Sequence, residues 1–262
     1  MKKKVFVVAN TKGGVGKSTI SWHLLPAVFK GCSILEIDNN NISNVFSKSN
    51  IIGASESITV AQCTEKLEEV AFSLLAETEE VLIIDCGGGD DTTKILSQIG
   101  ELAFDELADV TYVVPLMNSL SQSKNAEDMA KLLKGKKVVF AINAVTNFET
   151  IEKDWVFWFG SDFLGIESYY EKLGKPSCIF IPSSPLFEIA ALHNMTIHDF
   201  AMPAEFISMA DFQKALYEDT KGNKDEFKSN LQRFRQNLAA KNFLDSFLKT
   251  IVSEISGKEK KK

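Results

Sequence analysis

The sequence predicts an α/β protein: a doubly wound, mostly parallel sheet flanked by helices, with further helices at the C-terminal end. Three observations carry that expectation. Short, continuously apolar runs alternate along the chain with stretches of helical period, as buried parallel strands and their crossover helices require. The first run passes directly into a glycine-rich turn that opens a helix. Two later runs end in an aspartate, and an open α/β sheet binds its ligands at the carboxyl ends of its strands.

The first strand is the run Val5 to Ala9, followed at once by Asn10-Thr11-Lys12-Gly13-Gly14-Val15-Gly16-Lys17-Ser18-Thr19. Gly13, Gly14 and Gly16 let the backbone curl so that several N–H groups face phosphate oxygens, and the helix opening near Lys17 adds its positive end. In such a loop Lys17 reaches the β and γ phosphates of a nucleotide, and the Ser18 hydroxyl ligates Mg²⁺. The strict pattern G-x-x-x-x-G-K-[ST] is not met, because Thr11 stands where its first glycine belongs. The segment instead reads K-G-G-x-G-K-S-T, with a second lysine, Lys12.

That segment resembles the deviant Walker A loop of the ParA/MinD ATPases, which belong to the SIMIBI group of P-loop NTPases; the non-glycine Thr11 is more similar to the ParA branch. The resemblance implies ATP and Mg²⁺ as cofactors and a homodimer in the ATP state. It also implies that Lys12 reaches across the ATP-sandwiched dimer to the other subunit's nucleotide. Residues 12–19 then form the nucleotide-binding loop, with Lys12 and Lys17 also counted among the catalytic groups.

The helix after the loop runs over about 17–29, with Ile20, Leu24, Leu25 and Val28 at helical spacing. Residues 33–38 (S-I-L-E-I-D) form a second strand that delivers Asp38 at its end, and Asn39, Asn40 and Asn41 form a turn. ParA-like proteins carry D-x-D here, the first acid near Mg²⁺ and the second handling the attacking water. The resemblance puts Asp38 at the first position and Asn40 at the second. An amide orients water but is no general base, so hydrolysis is expected to be weak or partner-dependent.

Residues 57–80 read as one helix, with Val60, Leu67, Val70, Leu74 and Leu75 as its apolar stripe. The strand 81–85 (V-L-I-I-D) ends in Asp85, which resembles the Walker B aspartate that holds Mg²⁺ through water. Gly87, Gly88 and Gly89 fall where the family has its γ-phosphate-sensing switch; Asp90 and Asp91 belong either to it or to the cap of a helix over 92–99. Two more strands, 109–116 and 136–143, flank a helix over 121–133. Asn143 is either an adenine contact, as the resemblance implies, or a turn-forming residue. In the aromatic segment 152–170, Trp155, Trp158 and Phe159 share a helix face suited to core packing, leaving Phe157 for a partner surface. The strand 178–185 (C-I-F-I-P-S-S-P) resembles the segment that walls the adenine pocket, with Pro182 as the contact. His193 and His198 lack a partnering pattern and read as structural.

From Asp211 onward the pattern is helical almost to the end, with 12 Lys and Arg against 8 Asp and Glu in a chain whose net charge is −6. Arg233 and Arg235, with Lys241 and a lysine-rich tail, form either the patch that ParA proteins lay on DNA backbone or a solvated helix face. The stripe Phe243, Leu244, Phe247, Leu248, Ile251, Val252 and Ile255 is expected to dock on the domain, since its opposite face is not basic enough to favour a membrane. The acidic balance argues against a globally basic nucleic-acid binder. The four cysteines show no zinc spacing, and no apolar run is long enough to span a bilayer, so a cytoplasmic protein with no membrane partner is expected. A single domain over 1–262 is anticipated: a nucleotide-binding core at 1–200, C-terminal helices at 211–256 and the tail at 257–262.

Two functions fit these expectations. One is a ParA-like ATPase that binds DNA non-specifically and partitions a plasmid or chromosome with a ParB-like adaptor, which would make it nucleoid-associated. The other is a nucleotide switch without DNA binding that serves conjugative transfer or positions a protein cargo. A metabolic ligase of the same superfamily is a third possibility, for which no substrate pocket is evident in the residues.

Overall fold

The structure, a computed structural model, describes residues 2–39, 49–76 and 80–255. Its seven strands are β1 (Lys4–Val8), β2 (Cys32–Ile37), β3 (Ile52–Ile58), β4 (Val81–Cys86), β5 (Asp109–Leu116), β6 (Val138–Val145) and β7 (Cys178–Pro182). All pair in parallel, in the order β3-β2-β4-β1-β5-β6-β7. The chain winds to one side of β1 for β2 to β4 and to the other for β5 to β7, so the crevice beyond the carboxyl end of β1 is the natural ligand position.

Side chains that alternate along each strand feed two core layers. Val5 and Val7 of β1 face the layer holding Leu67, Ile95, Met129 and Trp158. Phe6 and Val8 face the opposite layer, which holds Trp22, Phe200, Leu244 and Phe247.

The phosphate loop leads into a π-helical stretch, Thr19–Leu24, that passes into α1 (Leu25–Val28). The N–H of Leu25 reaches back to the carbonyl of Ile20. This wider winding suits Pro26, whose ring clashes with the carbonyl four residues earlier in an ordinary α-helix. Residues 20–27 are buried on every side.

The helix expected over 57–80 is a correction. Residues Ile52–Ile58 pair with β2 as the edge strand β3, and a short turn, Val60–Gln62, separates it from α2 (Cys63–Leu74). Thr59 and Gln62 form a capping box, Gln62 Oε1 accepting the Thr59 N–H at 3.0 Å, so the helix cannot extend back into the strand.

Helices α3 (Asp90–Glu101), α4 (Phe104–Leu107) and α5 (Leu120–Leu132) cover the first layer. The aromatic segment forms two short helices, α6 (Ile151–Asp154) and α7 (Val156–Phe159), broken at Trp155, with α8 (Tyr169–Lys172) following. Trp155 and Trp158 are buried as expected, and Trp158 packs 5.2 Å from the Phe140 ring. Phe157 is only half-buried, whereas Phe163, at the tip of a small hairpin, is 96 % exposed.

After β7 come α9 (Leu186–Leu192), α10 (Ile197–Ala201), α11 (Pro203–Phe206), α12 (Met209–Asp219) and α13 (Lys224–Ile255). Leu244 and Phe247 of α13 are buried in the second core layer, so this part of the stripe docks as expected. Among the described residues no helix is long and apolar enough to cross a membrane.

Candidate nucleotide site

The glycine loop sits at the carboxyl end of β1. Gly14 and Gly16 take φ of 69° and 94°, which residues with a Cβ rarely adopt. A Cβ on Gly16 would lie 2.0 Å from Asn143 Nδ2. That amide donates to the Val15 carbonyl at 2.9 Å, so Asn143 braces the loop from β6. Lys17 Nζ folds back over the loop and donates to the Lys12 carbonyl at 3.1 Å and the Asn10 carbonyl at 3.4 Å. A Cβ built on Gly88 would lie 3.7 Å from Lys17 Nζ and 3.8 Å from the Gly13 nitrogen, and the Gly89 N–H donates to the Thr11 carbonyl at 2.7 Å. The three-glycine segment therefore closes over the phosphate loop.

Between these parts lies a cavity of about 690 Å³ lined by the glycine loop, Lys17, Ser18, Glu36, Asp38 and Asp85. Asp85 is buried, and neither of its oxygens completes a hydrogen bond of normal geometry. Burial pushes its carboxyl up to about 7 and the negative Glu36 adds to the rise, while Lys17 and the nearby Ser21 and Ser18 hydroxyls pull the other way. A buried carboxylate without hydrogen bonds, facing a lysine and a serine across a cavity, suits a hydrated divalent cation. Among the described residues no three His, Cys, Asp or Glu side chains cluster to hold a metal unaided. A cation here would therefore share Asp85, Asp38 and Ser18 with oxygens of water and ligand.

The expectations from sequence missed Glu36. It stands beside Asp85 in the β2–β4 register, is buried, and accepts a hydrogen bond of 2.7 Å from Ser57 of β3. The available signal was a lone charge in an apolar strand, two residues before Asp38 and so on the same face. Glu36-Ile37-Asp38 has the spacing of D-x-D, two residues before the Asp38 and Asn40 assignment, and both acids line the cavity. Asn40 lies outside the described residues.

The other predicted positions are dispersed. Pro182 lines a different, apolar cavity of about 430 Å³ with Phe148, Phe180, Phe243 and Phe247. Arg233 and Arg235 are exposed on α13, on either side of the buried Phe234, and Lys241 is tied to Asp245 at 2.6 Å. The lysines of the tail at 257–262 lie outside the described residues. His23, an unforeseen polar residue of the buried helix, accepts the Ile197 N–H at 3.0 Å through Nδ1 and is lowered to about 4, chiefly by burial, against the opposing pull of Asp199. His198 is lowered as well, first by burial.

With the loop, the buried acids and the all-parallel sheet in place, comparison with known families is decisive. The sequence profile of CbiA, the CobQ/CobB/MinD/ParA nucleotide binding domain, matches residues 6–176. The chain belongs to this family. Among solved structures, the MinD cell division protein of Aquifex aeolicus is similar at 16 % identity and a TM-score of 0.50, over 78 % of this chain and 90 % of that one. MinD in the MinC:MinD complex of Aquifex aeolicus is similar at 17 % identity and the same TM-score, over 78 % and 90 % of the two chains. McdA of Cyanothece, solved with ATP, is 14 % identical, covers 78 % of this chain and 92 % of its own, and has a TM-score of 0.44. We found no match among curated protein sequences. At these identities the first two likenesses speak for the fold, the MinD/ParA arrangement of a parallel sheet between helices. The CobQ/CobB/MinD/ParA family includes P-loop ATPases, and the glycine loop of this member is built to match.

Proposed function

We propose that this chain is a ParA/MinD-type ATPase that works as a nucleotide-driven switch on a single domain, dimerising around ATP and Mg²⁺ and positioning a cargo through an adaptor protein. The observation that carries the reading is the Asp85 carboxylate, buried and without hydrogen bonds, opposite Lys17 and Ser18 at the floor of the cavity. In this reading the loop amides and Lys17 bind the phosphates, Ser18, Asp38 and Asp85 hold the cation with its water, and the exposed Lys12 reaches a second subunit. The cation supplies charge neutralisation at the β and γ phosphates. Asp38 and Glu36 are the acids that orient the attacking water, so the chemistry does not depend on Asn40 alone.

A second reading, ParA-like retention on DNA with a ParB-like partner, draws on Arg233 and Arg235. Both are exposed, and among the described residues neither makes an ion pair. The decisive experiment measures ATP turnover and oligomeric state by light scattering in ATP and ADP, with and without DNA. Dimers specific to ATP support the switch, and DNA retention lost in Arg233→Ala/Arg235→Ala supports the second reading. A monomer in every nucleotide overturns the dimer.

A further inference from the structure

Three polar side chains beneath the glycine loop touch no part of the cavity, yet they form a continuous network. Asn10 is fully buried where β1 ends, and its Nδ2 donates to the Pro115 carbonyl of β5 at 2.5 Å. Its Oδ1 accepts two bonds: the Lys12 N–H at 2.8 Å, and Nδ2 of Asn125 on α5 at 2.5 Å. Asn125 Oδ1 in turn accepts the Thr11 hydroxyl at 2.5 Å. The Asn10 carbonyl also takes a bond from the buried Thr92 of α3 at 3.1 Å.

We propose that Asn125 is a positioning residue for Lys12, fixing the Asn10-Thr11-Lys12 backbone so that the second lysine of the loop is presented away from its own nucleotide. Asn125 is only 8 % exposed and lies 113 positions after Lys12, so the support it gives the loop is a tertiary contact. The network also accounts for Thr11 where the strict phosphate-loop pattern has glycine. The hydroxyl there has a partner, and glycine would leave the Asn125 oxygen buried without its donor. Lys17 depends on the same segment only through two carbonyls, and the phosphates it serves are also held by loop amides. Presentation of Lys12 is therefore the property most exposed to loss of Asn125, while phosphate binding within one subunit is not. The inference rests on the reading that Lys12 acts across a dimer.

Two measurements separate the inference from that reading. Backbone hydrogen exchange of the peptide spanning 10–16, read by mass spectrometry on the full chain without nucleotide, reports the network directly. Asn125→Ala should raise exchange at the Lys12 amide at least tenfold, with β1 unchanged. Thr11→Val should do so to a smaller degree and Thr11→Ser not at all. Sedimentation with ATP and Mg²⁺ should show the dimer of Asn125→Ala weakened about tenfold, with fluorescent ADP affinity of the monomer within twofold of the parent. Unchanged exchange in Asn125→Ala overturns the proposal, as does an ADP affinity that falls as far as dimerisation. If the parent chain never dimerises, the Lys12 sandwich falls, and the exchange result still decides whether Asn125 fixes the loop.

Discussion

Replacing Asp85 with asparagine should raise the stability of the nucleotide-free protein at alkaline pH while abolishing its response to ATP and Mg²⁺. The carboxyl ionises near 3.8 as a model acid and at about 7 in the fold. Above pH 7 the unfolded chain has released a proton that the folded chain must give up into a buried site, so the group opposes folding by about 4 kcal/mol. An asparagine of the same shape removes that penalty but buries an amide with few partners, at a cost of about 2 kcal/mol. The net gain of about 2 kcal/mol corresponds to roughly 4–8 °C in Tm for a chain of this size. The sign follows from the direction of the shift. Because the folded value is raised, the stabilising influence of the protonated acid is complete below pH 4 and is lost as pH rises through 7. Melting curves of both proteins from pH 4 to 8 test this: the variant should be the less stable at pH 4, match the parent at about pH 5.5 and reach its full advantage by about pH 7. Adding ATP and Mg²⁺ at one hundred times the dissociation constant should stabilise the parent by about 2.7 kcal/mol and leave the variant unmoved. A Tm difference that stays flat across pH would refute the buried-carboxylate argument.

Burial holds His23 neutral down to about pH 4, so between pH 6.5 and 4 the unfolded chain takes up a proton that the folded one refuses, and stability falls on acidification by up to about 3 kcal/mol. His23→Asn, which keeps an acceptor for the Ile197 N–H, should flatten that limb of the melting profile. Gly16→Ala combines a positive φ with a Cβ against Asn143, and should weaken nucleotide binding at least tenfold in a fluorescence titration. Trp158→Ala empties a fully buried site and should cost about 3–5 kcal/mol in a urea melt, whereas Phe163→Ser at the exposed hairpin tip should stay within about 0.5 kcal/mol.

Strands with continuous apolar runs were legible in the sequence, because burial on both faces writes itself into nearly all the residues of β1, β4 and β5 beyond their first one or two. β3 was not, since its middle, Gly53 to Ser57, faces little of the core and only Ile52 and Ile58 are buried. The helix was then begun at Ser57, over the last two residues of the strand. The glycine loop, Asp38 and Asp85 were legible because chemistry fixes their residue types and strand ends fix their places. Glu36 escaped because its meaning depends on the neighbouring strand, which brings it beside Asp85. The Asn10, Thr11 and Asn125 network joins residues more than a hundred positions apart, and no local period records such a contact.

The π-helical stretch behind the phosphate loop bears on how this chain can change over evolutionary time. A π-turn carries one residue more than an α-turn needs, so Thr19–Leu24 stores a spare residue in a helix whose residues 20–27 are all buried. Losing that one residue, with Pro26 replaced by a residue that has an N–H, would let the winding tighten while the two ends keep their places against the sheet. The first crossover can thus shorten without displacing either the loop before it or β2 after it. Gene-level insertions and deletions, normally confined to surface loops, have a permitted address here in the buried interior.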